Sequence, residues 1–105
     1  RLSVEDLRDW QPDRVRETGT VYTCIEVLEH LADDLDLIRR IPAASRFVFS
    51  VPTYMSASHV RCFPNLRDVF GRYWPSLAIS RWTLVDFGNG NAVHVCDSTK
   101  RTAPW

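Results

Sequence analysis

The stretch Val-Tyr-Thr-Cys-Ile-Glu-Val-Leu-Glu-His-Leu, residues 21–31, decides the fold of this chain of 105 residues. Its first five residues are apolar or β-branched, which predicts a strand over Val21–Ile25 that is buried on both faces in a parallel sheet. Three ionisable residues follow at once, Glu26, Glu29 and His30. Ionisable side chains at the end of a buried strand indicate a functional site.

The residues that follow this stretch predict a helix and a second strand. Asp33 or Asp34 supplies an N-cap for the helix, and Pro42 ends it. Three apolar residues recur at helical spacing between them: Leu35, Ile38 and Ile41. A second apolar run, Phe47–Val51, closes at Pro52. The strand, helix and strand together predict a parallel βαβ unit with a right-handed crossover.

The last part of the chain predicts a helix and then a hairpin. Four apolar residues share one helical face before Pro75: Leu66, Val69, Phe70 and Tyr73. Two β-prone runs, Leu77–Val85 and Ala92–Cys96, are joined through residues 86–91, whose glycines and asparagines tolerate the positive φ of a hairpin. Asp97–Trp105 is predicted to be a loose tail. His94 alternates with valines, so we expect a surface or packing role for it.

Composition and charge exclude several classes of protein. Thirteen basic and thirteen acidic residues leave no excess charge for nucleic acid phosphates, so a nucleic acid partner is disfavoured. No apolar run approaches the length of a membrane span. Cys24, Cys62 and Cys96 match no metal-ligand spacing, which predicts buried reduced thiols in a cytoplasmic protein. We therefore expect one α/β domain over residues 1–105.

The order β-α-β-α-hairpin resembles class I S-adenosylmethionine-dependent methyltransferases. The motifs that carry the likeness are Glu-Val-Leu-Glu-His-Leu at 26–31, Ser-Val-Pro at 50–52 and His-Val-Arg at 59–61, within a likeness that runs from Asp6 to Asp97. The resemblance implies strands four to seven of a Rossmann-like sheet, in the order 4-5-7-6. It also implies S-adenosylmethionine as cofactor and a small-molecule acceptor of the methyl group.

The departure from the family pattern is as informative as the match. The family's glycine-rich loop and the acidic residue that holds the ribose would precede residue 1, so the chain resembles a C-terminal half. Arg1, in the place of a Met, would fit either a processed chain or a fragment. Strand Val21–Ile25 would then be an open edge, capped by a second copy, by the lead-in 2–19 or by a missing N-terminal half. We expect the 105 residues alone to bind the cofactor weakly or not at all.

The resemblance also assigns the site residues. Glu26 and Ile25 would contact the cofactor at the end of the first strand, and Asp6, or Glu5 beside it, would meet the adenine amine. Methyl transfer is an in-line displacement, and a hydroxyl acceptor also needs a base to take its proton. His30 and His59 are the expected bases, with Glu29 as the third catalytic residue.

Other interpretations of the same residues stay open. Glu29 and His30 could cap backbone donors of the strand-to-helix turn, and His59 could be a loop residue bonded to backbone. Glu26, Glu29, His30 and His59 could hold a divalent ion, as in metal-assisted O-methyltransferases. Tyr54 could line an acceptor pocket or simply pack. A non-catalytic module that pairs through the first strand and a metal-dependent hydrolase are the rival functions.

Overall fold

A computed structural model describes residues 21–102 of the chain, and they form a mixed α/β fold with few helices. Its four strands are β1 (Val21–Ile25), β2 (Arg46–Pro52), β3 (Leu77–Gly88) and β4 (Asn91–Lys100). The helical elements are a 3-10 turn at Leu28–His30, then α1 (Asp34–Arg39) and α2 (Leu66–Tyr73). Within these residues, neither helix has the length and apolar character needed to cross a membrane.

The four strands form one mixed sheet in the order β1-β2-β4-β3. β1 runs parallel to β2, with Cys24 opposite Phe49 and Ile25 opposite Ser50. β4 is antiparallel to both of its neighbours, β2 and β3. The parallel pair, the closing hairpin and the strand order all agree with the prediction. Because β1 and β2 are parallel, the segments that leave their carboxyl ends start from the same edge of the sheet.

The core lies on one face of the sheet, where both helices pack. The register sets Cys24, Phe49 and Cys96 side by side on that face. Helix residues from α1 and α2 complete the same cluster: Leu37, Ile38, Val69 and Tyr73. The ring of Tyr73 meets that of Phe49 edge to face at 5.3 Å between centroids. Helix α2 is fixed at its start by a capping box, in which Asn65 and Asp68 bond each other's backbone N–H.

The predicted burial of β1 on both faces is wrong, and one apolar residue of α1 is exposed. Val21 is 42% exposed and Ile25 is 53% exposed, so β1 is not buried on both faces. Its side chains alternate, and Cys24 points to the face on which α1 and α2 pack, whereas Val21 and Ile25 point to the opposite face. In α1, Leu35 is also exposed, at 42%. The buried face of that helix is formed by Leu37 and Ile38 instead.

The predicted loose tail is also wrong, because β4 continues to Lys100. The continuation is polar, and two of its side chains bond backbone carbonyls of earlier segments. The hydroxyl of Ser98 donates to the carbonyl of Phe47 at 2.8 Å, and the ammonium of Lys100 donates to the carbonyls of Arg39 and Ile41. A strand can therefore run through residues without apolar alternation, as long as a neighbouring strand accepts its hydrogen bonds. Residues 103–105 lie outside the described part.

The cysteines are all free thiols. Cys24 and Cys96 are buried as predicted, but Cys62, predicted to be buried, is partly exposed. It lies in the loop between β2 and α2, beyond the helices that cover the core.

A buried carboxylate joins the two helices. Asp34, at the start of α1, is fully buried and accepts two hydrogen bonds from the Arg72 guanidinium, at 2.9 and 2.6 Å. It also accepts one from the hydroxyl of Tyr73 at 2.6 Å, and Arg61 Nη1 lies 3.3 Å away. Burial alone acts to raise the pKa of Asp34, but the bonds from Arg72 and Tyr73 and the charge of Arg61 outweigh it and hold that pKa below its usual range.

We expect alkylation to distinguish Cys62 from Cys96. Cys96 is 0% exposed, and burial raises the pKa of its thiol to about 12, so it should react only when the fold opens. Cys62 should react first in the native chain, as followed by iodoacetamide labelling and peptide mass spectrometry. The urea-unfolded chain is the control, in which both thiols should label at similar rates. Equal native rates would contradict the described packing.

We expect Asp34→Asn to lower the free energy of unfolding by about 3–5 kcal/mol, because it breaks an ion pair whose carboxylate is fully buried and leaves the partly buried Arg61 and Arg72 guanidinium groups without their counter-charge. Asp36→Asn is the matched control. Its carboxylate pairs with Arg39 and Arg40 at the surface of the same helix, so the loss should stay below about 1 kcal/mol. Urea unfolding measures both, and equal losses would contradict a structural role for the buried carboxylate.

The same variant should change the acid sensitivity of the fold. The folded-state pKa of Asp34 is lowered, so its contribution is present above the unfolded-state pKa of about 3.9 and is lost as the pH falls below it. The wild type should therefore lose more stability than Asp34→Asn on acidification through that range. Parallel pH profiles of the two unfolding free energies would oppose this assignment.

Candidate functional site

The candidate site lies where β1 and β2 end. We call residues 26–31 and 53–61, which follow these two strands, the rim. Glu26 leaves β1 in a left-handed backbone conformation, with φ of 56°. Its backbone N–H donates to the hydroxyl of Ser50 in β2 at 2.9 Å. The two segments that the sequence placed at one edge of the sheet therefore lie together.

Three of the predicted site residues form one cluster on the rim. Glu29 and His30 stand in the 3-10 turn, and His59 comes from the loop after β2. The two imidazole rings meet edge to face, with 4.9 Å between centroids, and His30 Nε2 lies 3.8 Å from Glu29 Oε2. Within residues 21–102, one ligand atom from each of the three lies within 4.8 Å of the others.

Both imidazoles are oriented by backbone carbonyls. His30 Nδ1 lies 3.0 Å from the carbonyl oxygen of Ser58, and His59 Nδ1 lies 3.1 Å from that of Tyr54. A carbonyl oxygen only accepts, so each Nδ1 carries the proton and donates it. In the neutral ring, Nε2 then holds the free lone pair. The predicted bonding of His59 to backbone is confirmed, and it leaves the other ring nitrogen available for chemistry.

Glu29 is the most unusual member of the cluster. Its side chain is 2% exposed, and Oε1 has no hydrogen-bond partner among residues 21–102. Glu29 stands in the first turn of the 3-10 helix, and among the described residues its Oε1 bonds no backbone donor, so the capping alternative has no support from that atom. Burial raises the pKa of the neighbouring Cys24 to about 12, and the Glu29 charge adds to that rise, so Cys24 stays a neutral thiol. A buried carboxylate oxygen without a donor is rare in native proteins, and a bound ion or an ordered water is a common explanation.

The loop after β2 holds the 3-10 turn by its backbone. The N–H of Val60 donates to the carbonyl of Glu29 at 2.7 Å. Arg61 Nη1 donates to the carbonyls of Leu28 and Leu31, at 2.6 Å each, and the same guanidinium lies 3.3 Å from Asp34. The buried ion network between the helices thus continues into the rim and fixes the turn that carries Glu29 and His30.

Arg61 and Asp34 are the residues whose site role the sequence reasoning missed. Arg61 was noticed only as part of the His-Val-Arg motif, and Asp34 only as a candidate cap. Neither role has a local sequence signature. Arg61 bonds Leu31 and Asp34 bonds Arg72, and in each pair the two residues lie 30 or more positions apart along the chain. A charged residue inside an otherwise apolar helical face was the available signal.

The other predicted site residues lie around the cluster. Ile25 and Glu26 are exposed at the end of β1, and the Glu26 carboxylate is not part of the close group of three. The ring of Tyr54 lies 5.5 Å from that of His59. Asp6 and Glu5 lie outside the described residues. His94 has a packing role, as predicted: it is buried, and its Nε2 lies 2.8 Å from the carbonyl oxygen of Phe63.

Burial and geometry define what the rim can do. It offers a buried carboxylate, two histidine nitrogens with free lone pairs and an exposed carboxylate at a strand end, all on rigid backbone supports. Such a set can take a proton, bind a cation or hold a positively charged cofactor group. In comparisons with known proteins, no family model, no curated protein and no solved structure matches this chain.

Proposed function

We propose that the chain is the C-terminal part of a class I S-adenosylmethionine-dependent methyltransferase that acts on a small-molecule hydroxyl, carbon or amine. The observation that carries the proposal is the convergence of the motifs at 26–31 and 59–61 on one rim, beyond the carboxyl ends of two parallel strands. In open α/β sheets this edge is where ligands bind. The strand order β1-β2-β4-β3 supports the proposal, since it equals the family order 4-5-7-6.

The residues at the end of β1 fit the cofactor in part. When bound, S-adenosylmethionine supplies a methyl group on a sulfonium centre, next to an ammonium group. The exposed Glu26 carboxylate beside the apolar Ile25 suits such a cation on an apolar chain. Asp6, or Glu5, would add the contact to the adenine amine. The four glycines, at 19, 71, 88 and 90, form no glycine-rich loop, so the 105 residues alone should bind the cofactor weakly.

The histidines of the rim would prepare the acceptor. A hydroxyl must lose its proton as its oxygen attacks, and Nε2 of His59 or His30 carries the lone pair that can take it. The carbonyls of Tyr54 and Ser58 accept from the opposite ring nitrogens, so they hold each ring in the competent orientation. Glu29 lies next to His30 and would stabilise the imidazolium that forms. The chain's own part is thus to position, to take a proton and to keep water from the reacting atoms.

Cofactor binding tests the proposal. Titration calorimetry with S-adenosylmethionine should give micromolar affinity for the complete gene product that contains these residues, and no measurable affinity for the 105-residue chain. In the complete product, Glu26→Gln should weaken binding about tenfold, the loss of roughly 1.4 kcal/mol of charge attraction. Asp36→Asn, a surface acid of α1, should leave the affinity unchanged. A complete product that does not bind the cofactor would overturn the proposal.

A second candidate function is supported by the exposure of β1. Among the described residues this strand pairs with β2 alone, and its Val21 and Ile25 side chains are exposed apolar groups. An open apolar edge is a template for pairing with another strand. The chain would then be a non-catalytic interaction module that joins a second copy, or a separate N-terminal half, through strand 21–25.

Light scattering after size exclusion tests this module. If two copies pair through β1, the mass should be twice 12.1 kDa. Val21→Lys combined with Ile25→Lys should return it to the monomer, because charges on an edge strand oppose pairing. Leu84→Lys is the matched control, an equally exposed apolar residue on β3, and should keep the dimer. A monomeric wild type would remove the second copy as the partner.

A further inference from the structure

We propose that Glu29, His30 and His59 form a binding site for one divalent transition metal ion of the zinc class. The proposal does not depend on methyl transfer, since it rests on the three side chains and their supports. Two nitrogen donors and one carboxylate are a common ligand set for zinc and for other first-row transition ions. Magnesium prefers oxygen ligands, so the same set disfavours it.

The first argument is distance. His30 Nε2 and Glu29 Oε2 lie 3.8 Å apart, and the three ligand atoms lie within 4.8 Å of one another. A tetrahedral zinc ion at ordinary bond lengths places its ligand atoms about 3.3 Å apart. His30 is exposed and His59 is half-buried, so both rings have room to rotate toward a bound ion.

The second argument is the orientation of the imidazoles. Histidine ligands of metals nearly always donate their other ring N–H to a carbonyl or a carboxylate, which fixes the tautomer and the ring plane. Both histidines have this support in Ser58 and Tyr54, although they come from different segments. The supporting carbonyls stand in one loop, so residues 53–61 supply one ligand and orient both rings.

The third argument is the buried carboxylate. Glu29 is 2% exposed, and its buried Oε1 has no hydrogen-bond partner in the part of the chain that the structure describes. Burying an ionised group without a partner is costly, and a bound cation removes that cost. The other carboxylate oxygen, Oε2, lies 3.8 Å from His30 Nε2, so the same carboxylate already reaches one of the two histidines.

The fourth argument is the stiffness of the support. Val60 holds the Glu29 carbonyl, and Arg61 holds the carbonyls of Leu28 and Leu31, so the turn and the loop are joined on both sides of the cluster. Three protein ligands leave one position of a tetrahedral ion open, and the exposure of His30 makes the cluster accessible from solvent. An open position of this kind takes water or a small ligand, as in reactive rather than purely structural zinc sites.

The structure also narrows the ligand set that the sequence suggested. Glu26 was included among four candidate ligands, but it lies outside the close group and is exposed. We therefore assign three protein ligands and leave Glu26 out. This makes Glu26→Gln a matched control for Glu29→Gln, because both remove one carboxylate from the same rim.

The test is metal binding by the 105-residue chain, expressed without a histidine tag, stripped with a chelator and titrated with Zn²⁺, Co²⁺ and Mg²⁺ in a calorimeter. We expect one Zn²⁺ per chain with micromolar or tighter affinity, and no heat with Mg²⁺. Co²⁺ should develop the visible absorption of a tetrahedral site. No cofactor or methyl acceptor is present, so the outcome is independent of the proposed enzyme activity.

The variants assign the ligands. Glu29→Gln and His59→Gln should each weaken Zn²⁺ binding by about 100-fold or more, beyond the 10- to 100-fold usual for loss of a supporting group. Glu26→Gln should leave the affinity unchanged. Circular dichroism of the metal-free variants checks that they are folded. A wild type that binds no Zn²⁺, equal binding of Mg²⁺, or equal losses in Glu26→Gln and Glu29→Gln would overturn the site.

Discussion

The buried carboxylate of Asp34 is the constraint on which the rest of the described structure depends. Burial of this carboxylate is unfavourable by itself. Two hydrogen bonds from Arg72, one from Tyr73 and the nearby charge of Arg61 compensate for it. These partners come from α2 and from the loop after β2, so one side chain fixes how both meet α1. Arg61 then extends the network to the carbonyls of the 3-10 turn, and the position of the rim follows from a contact in the core.

The reactive atoms of the rim are those that its hydrogen bonds to backbone leave unbonded. Backbone carbonyls accept hydrogen bonds from Nδ1 of both histidines, and no described residue bonds Oε1 of Glu29. A lone pair at Nε2 can take a proton or bind a metal ion, but it cannot do both at once. The proposed transfer chemistry and the proposed metal site therefore draw on the same atoms, and the state of the cluster decides between them.

Local pattern predicted most of the architecture. Apolar runs located all four strands, the spacing from Leu66 to Tyr73 located α2, and glycines and asparagines located the hairpin. The order of the strands came from the family resemblance and agrees with the structure. The rim residues were predicted because charges followed a strand end, and parallel strands bring such ends together.

The wrong predictions have one physical cause, which is that burial and partners depend on distant segments. Leu35 fits the helical spacing of apolar residues but lies on the exposed face of α1. β1 has an apolar sequence, but helices cover only one of its two faces. The strand 97–100 has no apolar pattern, because its stability comes from hydrogen bonds with residues about fifty positions earlier. The roles of Asp34 and Arg61 also depend on distant segments. An ion pair between two separate segments leaves no pattern in the sequence of either segment.

The turn after β1 carries a conformational penalty. Glu26 holds a left-handed backbone, which disfavours side chains with a Cβ by roughly 1–2 kcal/mol. Glycine would adopt the same geometry without that penalty, yet it would remove the carboxylate from the end of the strand. At Glu26 a cost in stability therefore accompanies a functional gain. The backbone is strained at this residue, and a negative charge is kept at the edge of the sheet.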